Sequence, residues 1–482
     1  MTIHPIQFAI ASDQAVSRAY SSQRLLNCYP ETSPTKAASP VLILGRWNLK
    51  PWGTAGSGPI RGSDVMAGVL YVVSGTTLYS VTSAGVATSI GTVADTGFVV
   101  MSNNGRLGSP GNQLVIATGA AWVEYLDGYF IWGRDATQSQ PGVAYLYNAT
   151  TAAFAQIADG DLFLSGEGKF QISALLDGSS YDALDFATAE STPGKLIRGK
   201  VDGADLLLFC EDVTEPWYNS GAADFPFERQ NQTVVHKGIM GTHCVALLDN
   251  TTFWIGKDKD AGGGAIVYRL AGGLQGQRIS THAVEDALAT VTDWSLVRCI
   301  SYIINGHAFF HIILPDQTSW VYDCSTKWWH EESTFLLGRW QGNSHTYAYG
   351  KHIVGSCNSG SLFALDPDYM YDDTATPVEA EMISIPHGDD ATLKTLASFQ
   401  LDIEGGLGLA TGQGSDPQVM LQLSFDRGHT WGRERWRSIG AIGNYGLRVV
   451  WRQLGWFRSV VIKLRITDPI PRRFIAYFVD VV

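Results

Sequence analysis

The chain has 482 residues, 45% of them hydrophobic and 17% charged, with a formal net charge of −12. That length exceeds one small domain and suits a large domain plus a smaller one. No apolar run reaches the roughly 20 residues of a membrane-spanning helix, and the N-terminus lacks a charged stretch followed by an apolar core, so no signal peptide is expected. The charge share lies below the roughly 25% of ordinary soluble chains, which points to a surface covered by partners, with a large polar uncharged surface as the alternative. Six cysteines, Cys28, Cys210, Cys244, Cys299, Cys324 and Cys357, stand far apart. They spell neither a zinc site nor a redox pair and are expected to be reduced and buried.

Residues 1–60 carry Pro30, Pro34, Pro40, Pro51 and Pro59, which break any helix and predict an extended N-terminal arm. From 61 to 375 an apolar β-unit recurs. Taking Tyr71, Leu114, Phe163, Leu207, Phe253, Phe309 and Ile353 as markers, the gaps are 43, 49, 44, 46, 56 and 44 residues. Each unit reads as two strands around a turn, as in Leu70–Val73 with Leu78–Val81 and in Leu114–Ile116 with Trp122–Tyr125. A period of 40–50 residues built from strands alone marks the blades of a β-propeller, because one blade cannot bury both faces of its own sheet. Seven units predict six to eight blades, closed by a strand borrowed from residues 40–60 or from the chain end. Helical pattern is confined to Thr281–Leu288 and Tyr181–Ala189, and 258–264 reads as a hairpin tip.

The repeat stops near 375. Residues 376–482 read as six strands, Glu379–Ile385, Ala397–Ile403, Val419–Ser424, Leu447–Arg452, Val460–Ile466 and Arg473–Val481, which predict a C-terminal β-sandwich. The fold class is therefore all-β: a propeller followed by a sandwich.

Within the second domain, Ser424, Asp426, Gly428, Thr430 and Trp431 match the Asp-box pattern S-x-D-x-G-x-T-W in full. The aspartate is expected to cap amides of a hairpin turn, Gly428 to take a positive φ, and Trp431 to pack beneath. Asp boxes occur in sialidase propellers, where they are structural. A sialidase also needs an arginine triad, a tyrosine nucleophile and an acid, and no such set stands at the starts of the blades. No nucleophile elbow, phosphate loop or dinucleotide fingerprint is present. His307 and His311 share one face of a strand without an evident third metal ligand. Asp258, Asp260, Asp372 and Asp373 read as turn acids in preference to a calcium loop. No catalytic residue, cofactor or metal is expected.

Charge is unevenly placed. From 427 to 473, ten Arg and Lys463 face Glu434 and Asp468, a balance of +9, so the rest of the chain carries −21. Arg433, Arg435, Arg437, Arg448, Trp451, Arg452, Trp456 and Arg458 form the candidate partner interface, since Arg and Trp dominate binding hot spots. Lining a nucleic-acid channel ranks second and a solvated face third.

Several strings, in collinear order, resemble one family: Gln23–Glu31, Asp177–Glu190, Thr214–Arg229, Lys237–Gly241, Gln277–Glu285, and Trp451–Gly455 leading into Leu464–Pro469. Together the chain resembles the packaged-DNA stabilisation protein of short-tailed, podovirus-type bacteriophages, also called the tail hub or nozzle. The resemblance implies a non-enzymatic virion component assembled in the host bacterial cytoplasm. It implies a six-fold ring beneath the portal and its adaptor. That ring would close the filled head, extend the DNA channel without reading sequence, and dock a tail needle or plug, fibres or tailspikes, with no membrane anchor. The alternative is a glycan-binding or glycan-cleaving propeller, which calls for a deep hub pocket of clustered arginines and carboxylates.

Overall fold

The computed structural model describes residues 3–33, 39–105, 110–138, 142–157, 168–189, 194–230, 234–257, 262–272, 274–389 and 391–482. The marker Phe163 and the acids Asp258 and Asp260 lie outside them. The described chain is a β-propeller joined to a β-sandwich, as the sequence pattern predicted.

Among the described residues the propeller has seven four-stranded blades. Blade one runs Ile60–Met66, Val69–Ser74, Thr77–Val81 and Ala87–Thr92 from the axis outward. Blades four, five and six occupy 196–229, 245–278 and 298–332 in the same simple order. The second strand of each blade is covered on both faces by its neighbours. It therefore reads as a continuous apolar run, and Val69–Ser74, Asp205–Cys210 and His307–Ile313 are buried almost throughout. The periodic markers with a described position all fall on such second strands.

Blades two and three depart from that order. Blade two combines Val99–Asn103 and Gln113–Thr118 with Ala144–Asn148 and Ala153–Gln156. Its two halves are separated by the hairpin Ala121–Leu126 and Tyr129–Arg134, which opens blade three. Lys169–Ala174 and Asp177–Thr188 then complete blade three. The run Trp122–Tyr125, expected to pair with Leu114–Ile116, is thus the axial strand of the next blade. The two-residue link Gly119–Ala120 is long enough to close a hairpin, yet Ala121–Leu126 pairs with Tyr129–Arg134 and does not fold back on its predecessor. Instead, Thr118 N donates to Val143 O at 2.9 Å and Asp135 N to Ala120 O at 2.7 Å, stitching the exchanged hairpins.

Blade seven closes the ring. Gly342–Ala348, Lys351–Ser356 and Ser361–Asp366 pair with Asn48–Thr54, far away in sequence. Leu49 and Trp47 are buried there against Phe363, Trp340 and Phe309. The expected helix at 281–288 is present as His282–Ala289. The helix expected at Tyr181–Ala189 is instead strand Asp177–Thr188. Its Ala-rich stretch has helical propensity, but pairing of Phe186 with Gln171 and Ala187 with Phe170 overrides it.

The sandwich packs two sheets. One orders Cys28–Thr32, Val41–Gly45, Arg473–Val481, Lys394–Ile403 and Val449–Phe457; the other holds Ser22–Leu26, Ala380–Ile383, Ser459–Ile466, Gln418–Ser424 and Arg435–Ser438. Phe399, Leu401, Trp451, Leu421, Ile462 and Leu464 fill the space between. The stretch 1–60, expected as an extended arm, is extended but divided. It gives strands to both sandwich sheets and its last strand to blade seven.

Leu26 also pairs in parallel with Glu331 of blade six, so one sheet runs from propeller into sandwich. Arg24 holds that seam, with Nη2 2.7 Å from Glu331 Oε2 and Nη1 3.0 Å from Glu381 Oε1.

Candidate interaction surface

The Asp-box residues form one turn after strand Gln418–Ser424. Asp426 Oδ1 accepts from Ser424 Oγ (2.6 Å) and Thr430 N (2.8 Å), and Oδ2 from Thr430 Oγ1 (2.5 Å). These hydrogen bonds, led by that from Ser424, hold the carboxyl well below the usual range. Gly428 takes φ +89°, where a side chain is disfavoured. Its carbonyl accepts from Arg18 Nη1 at 2.9 Å, pinning the turn to the N-terminal stretch. Trp431 is half-buried, with Lys463 Nζ 4.1 Å from its ring centroid. The aspartate is thus committed to shaping its own turn.

Six arginines of the basic stretch lie on the outer side of the sandwich, whereas Arg472 is buried. Arg433, Arg437, Arg448, Arg452 and Arg458 are exposed and Arg435 is half-exposed. Trp456 is 73% and Trp436 50% exposed. Main-chain oxygens orient several of the guanidinium groups. Arg437 Nε donates to Val450 O at 3.0 Å, Arg435 Nη1 to Gln453 O at 3.4 Å and Arg458 Nη1 to Ala391 O at 2.7 Å. Among the described residues none of these six arginines pairs with a carboxylate, whereas Arg465 and Arg473 do. Trp451 does not belong to this face. Its ring is buried against Phe399, and its Nε1 donates to Arg435 O at 2.8 Å, because inward and outward positions alternate from Val449 to Arg452, before the strand's register shifts at Gln453. Trp436, which the interface set omitted, takes its place on the exposed side.

His307 and His311 point into an aromatic layer. His307 Nδ1 lies 2.8 Å from Asp323 Oδ2, and His311 packs 4.5 Å from the Trp340 ring with its protonation suppressed by burial. Asp372 is fully buried and binds Arg46, so it is not a loop acid; Asp373 sits at φ +54° with its amide on Leu49 O.

The propeller axis carries a second charged feature. The innermost strands are lined by three successive cavities. A first, of about 440 Å³, touches Arg61, Phe98, Thr242 and Asn343; a second, of about 150 Å³, touches Ser63, Glu124, Arg198, Lys200 and Arg298; a third, of about 710 Å³, touches Asp202, Leu247, Ser301 and Tyr347. Between the two wider mouths, Arg198 Nη2 binds Glu124 Oε1 at 2.5 Å and Lys200 Nζ binds the same carboxylate at 3.1 Å. Burial and nearby Arg198 lower Arg298 to about 10. Charged side chains therefore narrow the axis of a single propeller at its middle. Sequence reasoning missed this cluster. Its members are single charges inside apolar strands of three blades, and that placement was the available signal.

A family model described as the β-propeller of bacteriophage P22 Gp10 matches residues 7–370, and one described as the β-sandwich of the same protein matches 387–482. The chain belongs to the bacteriophage P22 Gp10 family. The two matched stretches correspond to the two domains seen here, and the family makes the chain a phage structural protein of the packaged-DNA stabilisation class. No curated protein matches it. Among solved structures it is similar to the computationally designed Ika8 protein, with a TM-score of 0.35 at 10% identity over 66% of this chain and 99% of that one.

Proposed function

We propose that this protein forms the nozzle ring of the phage tail. Six copies sit beneath the portal–adaptor complex, close the DNA-filled head and extend the ejection channel. The observation that carries this reading is the Arg–Trp face of the sandwich, six arginines with two exposed tryptophans and, among the described residues, no carboxylate paired to those arginines. Such a face matches an acidic partner surface, either the blades of the next copy or the adaptor. The propeller axis, narrowed to a cavity of about 150 Å³ at its middle, supports the same arrangement, since it favours a DNA path between copies over one through a single propeller. Channel walls drawn from the acidic remainder of the chain would not grip phosphates, so DNA could slide. The free end of the ring would dock a needle or plug, fibres or tailspikes.

A glycan-active propeller calls for arginines and carboxylates at the hub, and Glu124, Arg198 and Arg298 do meet there. Their cavity of about 150 Å³ is smaller than the roughly 300–1,000 Å³ of small-molecule sites, and Glu124 is occupied by two cations. The test is light scattering on the purified chain alone and with its portal–adaptor complex. A discrete ring-sized species in either sample supports the nozzle. A chain that stays monomeric and ignores the adaptor refutes it.

A further inference from the structure

The cluster on the propeller axis is not neutralised from within. Arg198 is 5% exposed, and its Nε and Nη1 have no hydrogen-bond partner among the described residues. Only Nη2 is engaged, by Glu124. A buried guanidinium with idle donors is costly unless something accepts from them. Arg198 lines the middle cavity together with Lys200, Arg298 and His243. Arg298 donates Nη1 to the carbonyl of Arg61 at 2.7 Å and, unlike Arg198, has no carboxylate partner among the described residues. Two acids stand close to the group, Glu124 and Asp64, and Asp64 accepts from Asn103 Nδ2 at 2.7 Å. Three cations against two carboxylates leave the cluster one positive charge in excess.

The cavity measures about 150 Å³, several times the roughly 30 Å³ share of one water. It suits a small multi-atom ion better than a polymer. Arginine's planar fork favours oxyanions, whose paired oxygens accept two parallel bonds. We propose that the propeller axis holds one inorganic tetrahedral oxyanion of the phosphate or sulfate class, bound by the idle donors of Arg198 and by Arg298 and Lys200. The ion ties blade four to blade six across the axis, where no backbone pairing links them.

Isothermal calorimetry tests this on the full-length chain, titrating inorganic phosphate at constant ionic strength in chloride buffer. One phosphate per chain is expected to bind. Glu124→Gln removes the carboxylate that competes for Arg198 and Lys200, and should tighten binding by at least about tenfold, given the several kcal/mol that a nearby like charge represents at an effective dielectric near 20. Arg298→Met should weaken it by a similar factor. A loss in Arg298→Met alone could reflect misfolding, but a gain in Glu124→Gln could not. Absence of saturable heat in both the parent and Glu124→Gln would overturn the proposal, as would equal affinity in the two. A short oligothymidylate is expected not to displace phosphate. Displacement would mean that the site reads nucleic-acid phosphodiesters and that the inorganic-ion assignment is wrong.

Discussion

Asp372→Ala should open the propeller at its seam. The side chains of Arg46 and Asp372 are 1% and 0% exposed, with Nη2 and Oδ2 2.5 Å apart. Asp372 Oδ1 also accepts from Leu49 N at 3.2 Å, at the start of the closing strand Asn48–Thr54. Arg46 keeps Asn27 Oδ1 at 2.8 Å and Trp47 O at 2.9 Å, but its remaining counter-charge is Glu332 at 3.9 Å. Removing one side of a buried ion pair costs about 3–5 kcal/mol, and Glu332 retains part of the attraction, which puts the loss near the lower figure. A two-domain chain need not unfold in one step, so amide hydrogen exchange of residues 48–54 is the direct readout. At a factor of ten per 1.4 kcal/mol, about 3 kcal/mol is a hundredfold or greater acceleration. The double substitution Arg46→Met with Asp372→Leu should recover part of the loss at pH 6, since the one acid it deprives of a cation, Glu332, is already held largely protonated there by burial. Exchange within about threefold of the parent in Asp372→Ala would refute the assignment of Arg46–Asp372 as the clasp of blade seven.

Glu332 beside that pair is pushed up to about 7, first by burial. Between its ordinary 4.5 and about 7 the unfolded chain gives up a proton that the folded chain keeps, so stability falls as pH rises through that window and levels off above it. Glu332→Gln should therefore melt higher than the parent at pH 8, the difference closing towards pH 4.5 by calorimetry. Leu49→Ala, at a fully buried position, should cost about 2–5 kcal/mol and make the chain susceptible to proteolysis near residue 50. Arg437→Glu combined with Arg452→Glu, both exposed, should leave the melting midpoint nearly unchanged, since such surface changes stay within about 0.5 kcal/mol. The same pair should abolish co-sedimentation with the portal–adaptor complex, and undiminished binding would remove the Arg–Trp face from the proposed interface.

The strands of this protein were legible because burial on two faces writes itself locally. A run such as Leu206–Phe209 must be apolar wherever its blade stands in the ring, and the strand Arg473–Val481 was predicted to the residue. The Asp-box turn was legible for the same reason, since its bonds join residues at most four apart. The exposed arginines were legible as a charge excess, but Trp451 and Trp436 exchanged roles because the register of two facing strands decides which side of a sheet is wet.

What the sequence by itself determined is the all-β class, the two domains and a blade array of about the right number. Only the tertiary structure decided that blades two and three exchange hairpins, that Asn48–Thr54 closes blade seven, and that Glu124, Arg198, Lys200 and Arg298 meet on one axis. Those pairings join residues tens to hundreds of positions apart. A strand's own pattern records that it needs covering and carries no mark of which distant segment covers it.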